Sequence, residues 1–264
     1  MSRDSTSHTL KVVLGVSLVC SLLVAGAVVG LRQKQKTNQE LDRLKSVLIA
    51  ADKYTVDEEV FAVYRKYFRP RWVDLERGVV LTTEEVEQLQ LKDFDLKALV
   101  NEPRRSRALQ PAEDLAKILR QPRYMLIYQV VQDNQVRRII LPIYGKGLWS
   151  TMYGFIGLDR DLNTVTGLVF YEHGETPGLG GEIENLRWRQ SWVGKRVYDQ
   201  SGKLRLEVIK GIVDPTRPEA LYQVDGLSGA TLTTRGVDQL VKFWLGNQGY
   251  GKLLANWRRS GIEE

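Results

Sequence analysis

With 264 residues, 43% of them hydrophobic and 27% charged, the chain has the composition of one ordinary folded domain plus extra elements, or of two small domains. Its 38 Lys and Arg against 32 Asp and Glu leave a net charge of +6. The two signs are spread along the chain with no dense basic stripe interleaved with aromatics, so nucleic acid is not an expected partner. One cysteine, Cys20, excludes an internal disulfide, and with only His8 and His173 beside it the chain has no ligand set for zinc or an iron–sulfur cluster; a redox role would need an organic cofactor.

Residues 1–11 read as a polar tail. Residues 12–31 carry no charge, and at the helical rise they span about 30 Å, the thickness of a bilayer core. Lys11 closes the run on one side and Arg32, Lys34 and Lys36 on the other, which predicts a single transmembrane helix. A cleaved signal peptide is the competing reading, since Arg3 and Lys11 make a basic start and Ala25-Gly26-Ala27 resembles a cleavage site. The apolar run continues past that site and favours a retained anchor. Cations are denser after the span than before it, and by a few residues the positive-inside rule would leave the rest of the chain in the cytoplasm.

Residues 32–110 read as a juxtamembrane helical and linker region. Leu41, Leu44 and Leu48 give residues 33–53 one apolar helical face. Thr82 and Glu85 have capping-box spacing and predict a helix running to Leu91. Residues 101–110, with Pro103 and three arginines, read as a loop, and Pro111 suits the first turn of a helix carrying Leu115, Ile118 and Leu119. Residues 111–264 form the expected main domain. Strands are predicted at 124–131 and 136–143 around the turn Asp133-Asn134-Gln135, then at 164–171 and 204–212. Long βαβ alternation is absent, so the fold class is α+β: a mostly antiparallel sheet with flanking helices, behind one membrane helix.

Two glycine-rich segments carry the candidate chemistry, residues 172–185 (EHGETPGLGGEIEN) and 225–234 (DGLSGATLTT). After the second, Val237, Leu240, Val241, Trp244 and Leu245 fall on one face of an amphipathic helix, capped by Thr233 or Thr234 and stopped by Gly249 or Gly251. Thr231 then lies just before a helix N-terminus, where free N–H groups and the helix dipole favour a phosphate and Gly226 and Gly229 permit close approach. Ordinary capping uses the same residues. A Walker loop is ruled out, because no Lys follows the glycines, and the G-x-G-x-x-G register is missing too. In the first segment Pro177 and the glycines permit a tight backbone whose amides can face a ligand, or merely a surface turn.

Asp225-Gly226-Leu227-Ser228-Gly229-Ala230-Thr231 resembles, without a departure, the D-G-x-[ST]-G-A-T acceptor of covalent FMN attachment, in which a flavin transferase joins the FMN phosphate to the threonine hydroxyl. Residues 172–182, followed by Trp188, Trp192 and Gly194-Lys195, resemble the C subunit of the sodium-translocating NADH:quinone reductase. Leu186 departs, since a proline commonly follows that asparagine. The resemblance extends over the anchor and the total length.

It implies one covalent FMN per chain on Thr231, with Ser228, Gly229 and Ala230 shaping the turn around the phosphate and Asp225, Gly226 and Thr233 completing the acceptor region. Glu175, Thr176, Gly178, Leu179 and Gly180 would neighbour the ring, as would Leu148, Trp149 and Ser150. Lys210 is a candidate to stabilise negative charge on reduced flavin, or a plain surface lysine. No catalytic residue and no metal ligand are expected, because the chain would be an electron carrier without its own substrate site. The implied partners are the other subunits of the membrane complex, among them an iron–sulfur donor and a second FMN-bearing membrane subunit, with the flavin transferase during maturation. The implied location is the bacterial inner membrane, single-pass, with the large domain periplasmic, against the small charge bias. The alternatives are the G subunit of an Rnf-type ferredoxin:NAD oxidoreductase, which shares the acceptor, and a membrane-tethered adaptor without redox function.

Overall fold

A computed structural model describes residues 6–91 and 94–262; Arg3 and the side chain of Lys36, invoked above as flanking charges, lie outside the described residues. The chain divides into two compact units, Met1–Arg43 and Leu44–Glu264. Helix α1 runs unbroken from Thr6 to Ala50, through Ala25-Gly26-Ala27, so residues 6–11 are helical rather than a tail. Among the described residues it is the one helix long and apolar enough to cross a membrane. Leu14, Leu18, Leu22, Leu23 and Val29 are all exposed along it, as suits a helix whose solvent is hydrocarbon.

In the second unit the elements follow in the order α2 (Val60–Tyr67), β1 (Phe68–Asp74), β2 (Val79–Val80), α3 (Thr83–Gln88), α4 (Leu96–Asn101), β3 (Ser106–Ala108), β4 (Arg120–Pro122), β5 (Tyr124–Gln132), β6 (Gln135–Lys146), β7 (Thr151–Asp159), β8 (Val165–Glu172), α5 (Leu186–Gln190), β9 (Glu207–Val208), β10 (Gln223–Val224), α6 (Thr231–Leu245) and α7 (Gly251–Ser260). The main sheet has the order β2-β1-β5-β6-β7-β8 and every pairing in it is antiparallel. Asp133 and Asn134 both take positive φ in the β5–β6 turn, the tight-hairpin geometry those two residue types tolerate.

The sheet is buried on both faces. On one, Ile127, Ile139, Leu141 and Ile156 pack with Val237, Leu240, Val241 and Trp244 of α6 and with Leu253, Leu254 and Trp257 of α7. Helix α6 is pinned across β6 because Gly236 lets its backbone close on the Lys146 carbonyl, and because the Trp244 indole donates to the Tyr144 carbonyl at 2.7 Å. On the other face the register aligns Tyr128, Ile140, Gly157 and Gly167 in one cross-strand row. The two glycines open a notch for the end of α1, since a Cβ on Gly157 would overlap the Ala50 carbonyl oxygen and one on Gly167 would stand 3.0 Å from it. The last carbonyls of that helix are satisfied from the sheet: Thr166 Oγ1 donates to Ala50 O at 3.1 Å and the Arg138 guanidinium donates to Ala51 O. Replacing Gly157 by Ala should therefore destabilise the unit by about 1–3 kcal/mol through overpacking against backbone, read as a lower urea midpoint with an unchanged slope.

Several sequence expectations change here. The domain boundary at residue 111 has no counterpart, because β1 and β2 belong to the same sheet as β5. The capping box at Thr82 forms, with both reciprocal bonds, but its helix ends at Gln88. Residues 101–110 are not all loop, since Ser106–Ala108 is β3. No helix follows Pro111: the Asp114 carboxylate takes the N–H groups of Ile118 and Leu119 at 2.8 Å each, and Lys117 and Leu119 adopt left-handed φ. The strand expected over 204–212 shrinks to Glu207–Val208, paired parallel with β10. Helix α6 starts at Thr231 with Ala230 as its cap and stops at Gly246, so Thr233 and Thr234 lie inside it.

Candidate functional site

Three segments far apart in sequence meet around one carboxylate. Glu175 follows β8, is 4% exposed, and accepts four hydrogen bonds. Its Oε2 accepts from Leu148 N–H at 3.1 Å and from the Thr233 hydroxyl at 2.5 Å, and its Oε1 accepts from Trp149 N–H at 3.0 Å and Ser150 N–H at 3.3 Å. The loop between β6 and β7 is thus tied to the loop after β8 and to the first turn of α6. Space for the carboxylate exists because positions 147 and 180 are glycine: a Cβ on Gly147 would stand 2.5 Å from Glu175 Oε1, and one on Gly180 the same distance from Thr233 Oγ1. Burial alone would raise the Glu175 pKa, but the Thr233 hydroxyl and the three amides stabilise the charged form more and hold it below the ordinary value.

A second set of bonds steadies the same loop. Ser150 Oγ accepts from Gly174 N–H at 2.6 Å, and His173 Nδ1 accepts from Glu175 N–H at 3.2 Å. An Nδ1 that accepts leaves the imidazole proton on Nε2, which lies 2.9 Å from Glu184 Oε1. His173 is therefore a strut of the loop.

The acceptor-like segment turns tightly into α6. Gly226 is obligatory, since a Cβ there would overlap the Ile209 carbonyl, and Gly229 has φ +71° with Leu179 Cδ2 close by. Ala230 caps α6 with no side-chain hydrogen bond, so the first-turn N–H groups beside Thr231 have no side-chain acceptor from the cap. Thr234 Oγ1 accepts from Leu227 N–H at 3.1 Å and holds the turn against the helix. Thr231 itself is exposed, with Ser228 and Gly229 beside it. It opens on a cavity of about 230 Å³ lined also by Lys210, Gly226, Leu227 and Arg235.

The structure thus brings Leu148, Trp149, Ser150, Glu175 and Thr233 into one hydrogen-bonded cluster, with Gly180 packed closely against it and Leu179 reaching toward Gly229. Lys210 and Thr231 share the cavity. Thr176 and Gly178 shape the turn: the Thr176 carbonyl accepts from Leu179 and Gly181, and Gly178 has φ +74°. Asp225 is engaged elsewhere, its carboxylate accepting from Val213 N–H at 2.7 Å and its carbonyl from the Trp188 indole at 2.8 Å. It pins the turn from behind and does not line the cavity around Thr231. Arg235 went unnoticed in the sequence; its i+4 spacing from Thr231 was the available signal. Leu186 occupies the first position of α5 behind the Asn185 cap, where proline and leucine are both tolerated.

The sequence model of the FMN-binding domain family matches residues 147–246, the stretch that contains all three converging segments. The C subunit of the Na(+)-translocating NADH-quinone reductase of Pseudomonas aeruginosa is 45% identical to the chain over 98% of both proteins. The chain belongs to the family of that C subunit. The Vibrio parahaemolyticus relative of the same name is 41% identical over 99% of this chain and 98% of its own length. The crystal structure of Shewanella oneidensis NqrC superposes with a TM-score of 0.73 at 31% identity, covering 84% of this chain and 99% of that one. Near-complete coverage by these relatives sets aside the Rnf-type G subunit and the adaptor. The chain is membrane-associated and binds FMN, and the residues present fit that group: an exposed hydroxyl and two cations line one cavity, and the exposed apolar side chain of Leu179 reaches Gly229 of the acceptor-like turn.

Proposed function

We propose that this chain is an electron-transfer subunit of the sodium-translocating NADH:quinone reductase and carries FMN as a phosphoester on Thr231. The observation that carries the reading is the exposed Thr231 hydroxyl at the uncapped start of α6, inside Asp225–Thr231 and open to the cavity with Lys210. When bound, FMN supplies one-electron chemistry that no side chain of this protein can supply.

The chain's own residues then have distinct tasks. Gly226 and Gly229 bring backbone close to the phosphate, and Ala230 leaves the first-turn amides free to face it. Leu179, Leu148 and Trp149 exclude water from the ring, and Glu175 holds their loops in place. Lys210 contributes positive charge at the cavity edge. No residue acts on a substrate.

Electrons would arrive from an iron–sulfur centre and leave to a second FMN-bearing membrane subunit, and a flavin transferase would install the cofactor. The membrane is the bacterial inner membrane, spanned once by residues 12–31, with the large domain periplasmic. A covalent link suits that side, because a flavin lost where no free pool exists is not replaced. In the assembled complex, Thr231→Ala should stop quinone reduction by NADH while NADH oxidation by an artificial upstream acceptor continues. Full quinone reduction in that variant would remove this chain from the electron path.

A further inference from the structure

The cavity beside Thr231 holds three charged side chains, and they are not equivalent. Asp238 is committed: its Oδ1 accepts from Val208 N–H at 2.9 Å and its carboxylate pairs with Lys242 Nζ at 2.9 Å. Lys210 and Arg235 are exposed and make no hydrogen bond or ion pair with any described residue. Most other arginines that line cavities are paired, Arg107 and Arg123 with Glu113 and Glu76 for example. Arg235 lies four residues after Thr231, so the two side chains leave the helix on the same face, one turn apart. Lys210 lines the same cavity from the segment following β9. Two unpaired cations that line one cavity with the Thr231 hydroxyl, from two different segments, suit a phosphate better than any uncharged group.

We propose that Arg235, assisted by Lys210, is the phosphate-positioning residue of this site: its guanidinium holds the flavin nucleotide's phosphate against the Thr231 oxygen, during attachment and in the finished phosphodiester. In attachment the transferase forms the Thr231 O–P bond as the pyrophosphate bond of the flavin dinucleotide breaks, AMP leaves and the hydroxyl proton passes to solvent. The proposal rests on the functional reading above and deepens it. Lys210 thereby faces the phosphate end of the cofactor. Arginine fits the task because its planar fork can donate to two phosphate oxygens at once, whereas lysine offers a point charge.

The test uses the full-length chain, a limiting amount of flavin transferase and flavin adenine dinucleotide as donor, with the modified fraction followed by intact mass. Arg235→Ala should slow modification roughly threefold to tenfold at low salt, the size of a partly screened charge-assisted contact. Arg235→Lys should recover part of the rate, and the double variant with Lys210→Ala should be slower than either single one. The difference between wild type and Arg235→Ala should shrink in high salt, where screening removes the attraction; a merely structural role would not respond in that way. In modified protein the phosphorus resonance of the diester should differ between wild type and Arg235→Ala. Equal rates at both salt levels, or an unchanged phosphorus resonance, would overturn the clamp. Absence of modification in the wild type would instead overturn the attachment to Thr231 on which it rests.

Discussion

Full-length Thr231→Ala, produced beside an active flavin transferase, should show no flavin fluorescence at its band on a denaturing gel, whereas Thr231→Ser should stay fluorescent. The loss should be complete, because the hydroxyl is the atom that forms the ester. The fold should not change. Thr231 is exposed at the first position of α6, its side chain has no hydrogen-bond partner among the described residues, and alanine is at least as good a helix former. Stability should stay within about 0.5 kcal/mol of the parent, as for an ordinary surface substitution. Matched urea midpoints would separate loss of the acceptor from loss of the domain. Fluorescence that persists in the alanine variant would move the attachment to another residue.

Glu175 should show the opposite pattern, a large effect on stability from a residue that forms no bond to the cofactor. Glu175→Ala leaves three part-buried backbone N–H groups and the buried Thr233 hydroxyl without their acceptor. Buried donors without partners are expensive, and the expected destabilisation is about 2–4 kcal/mol. Glu175→Gln should recover little, since its amide turns a donor toward other donors. The parent should also carry an acid-sensitive component. The folded-state pKa of Glu175 is lowered, so its contribution is complete above the unfolded glutamate value of about 4.3 and is lost as pH falls toward the lower folded value. Urea midpoints across that acid window should fall more steeply for the parent than for Glu175→Gln. Parallel curves would mean that the carboxylate does not hold these loops.

What could be read from the sequence and what could not follows from the range of the forces involved. The membrane helix, the apolar stripe of α6, the capping box at Thr82 and the β5–β6 hairpin rest on contacts between near neighbours, so their residue patterns announce them. Strand β1 did not announce itself, because Pro70 and several charges argue against a strand. It is tolerated since β2 pairs only with Val73 and Asp74 and leaves the edge open at Pro70. The helix expected after Pro111 fails for a tertiary reason, the Asp114 carboxylate that captures two backbone donors. The strand expected over 204–212 fails because alternation gives no partner strand, and only β10 offers a short one.

At the site the division is the same. Thr231 and its glycines stand in a contiguous segment that resembles a known acceptor, so they were legible. Thr233 was included for its place in that segment, but its partner is 58 positions away, and the bond between them is visible only in three dimensions. Asp225, equally part of the segment, faces Val213 and Trp188 instead of the cavity. Arg235 reads in the sequence like any exposed helical arginine, and only the fold brings it to the same cavity as Lys210.

The most direct measurement is the mass of the proteolytic peptide that contains Thr231, taken from wild-type chain made with a working flavin transferase. The peptide should be heavier by one FMN less one water, with fragmentation placing the addition on Thr231. A peptide with only the mass of its amino acids, or an addition on another residue, would contradict a phosphoester at that threonine.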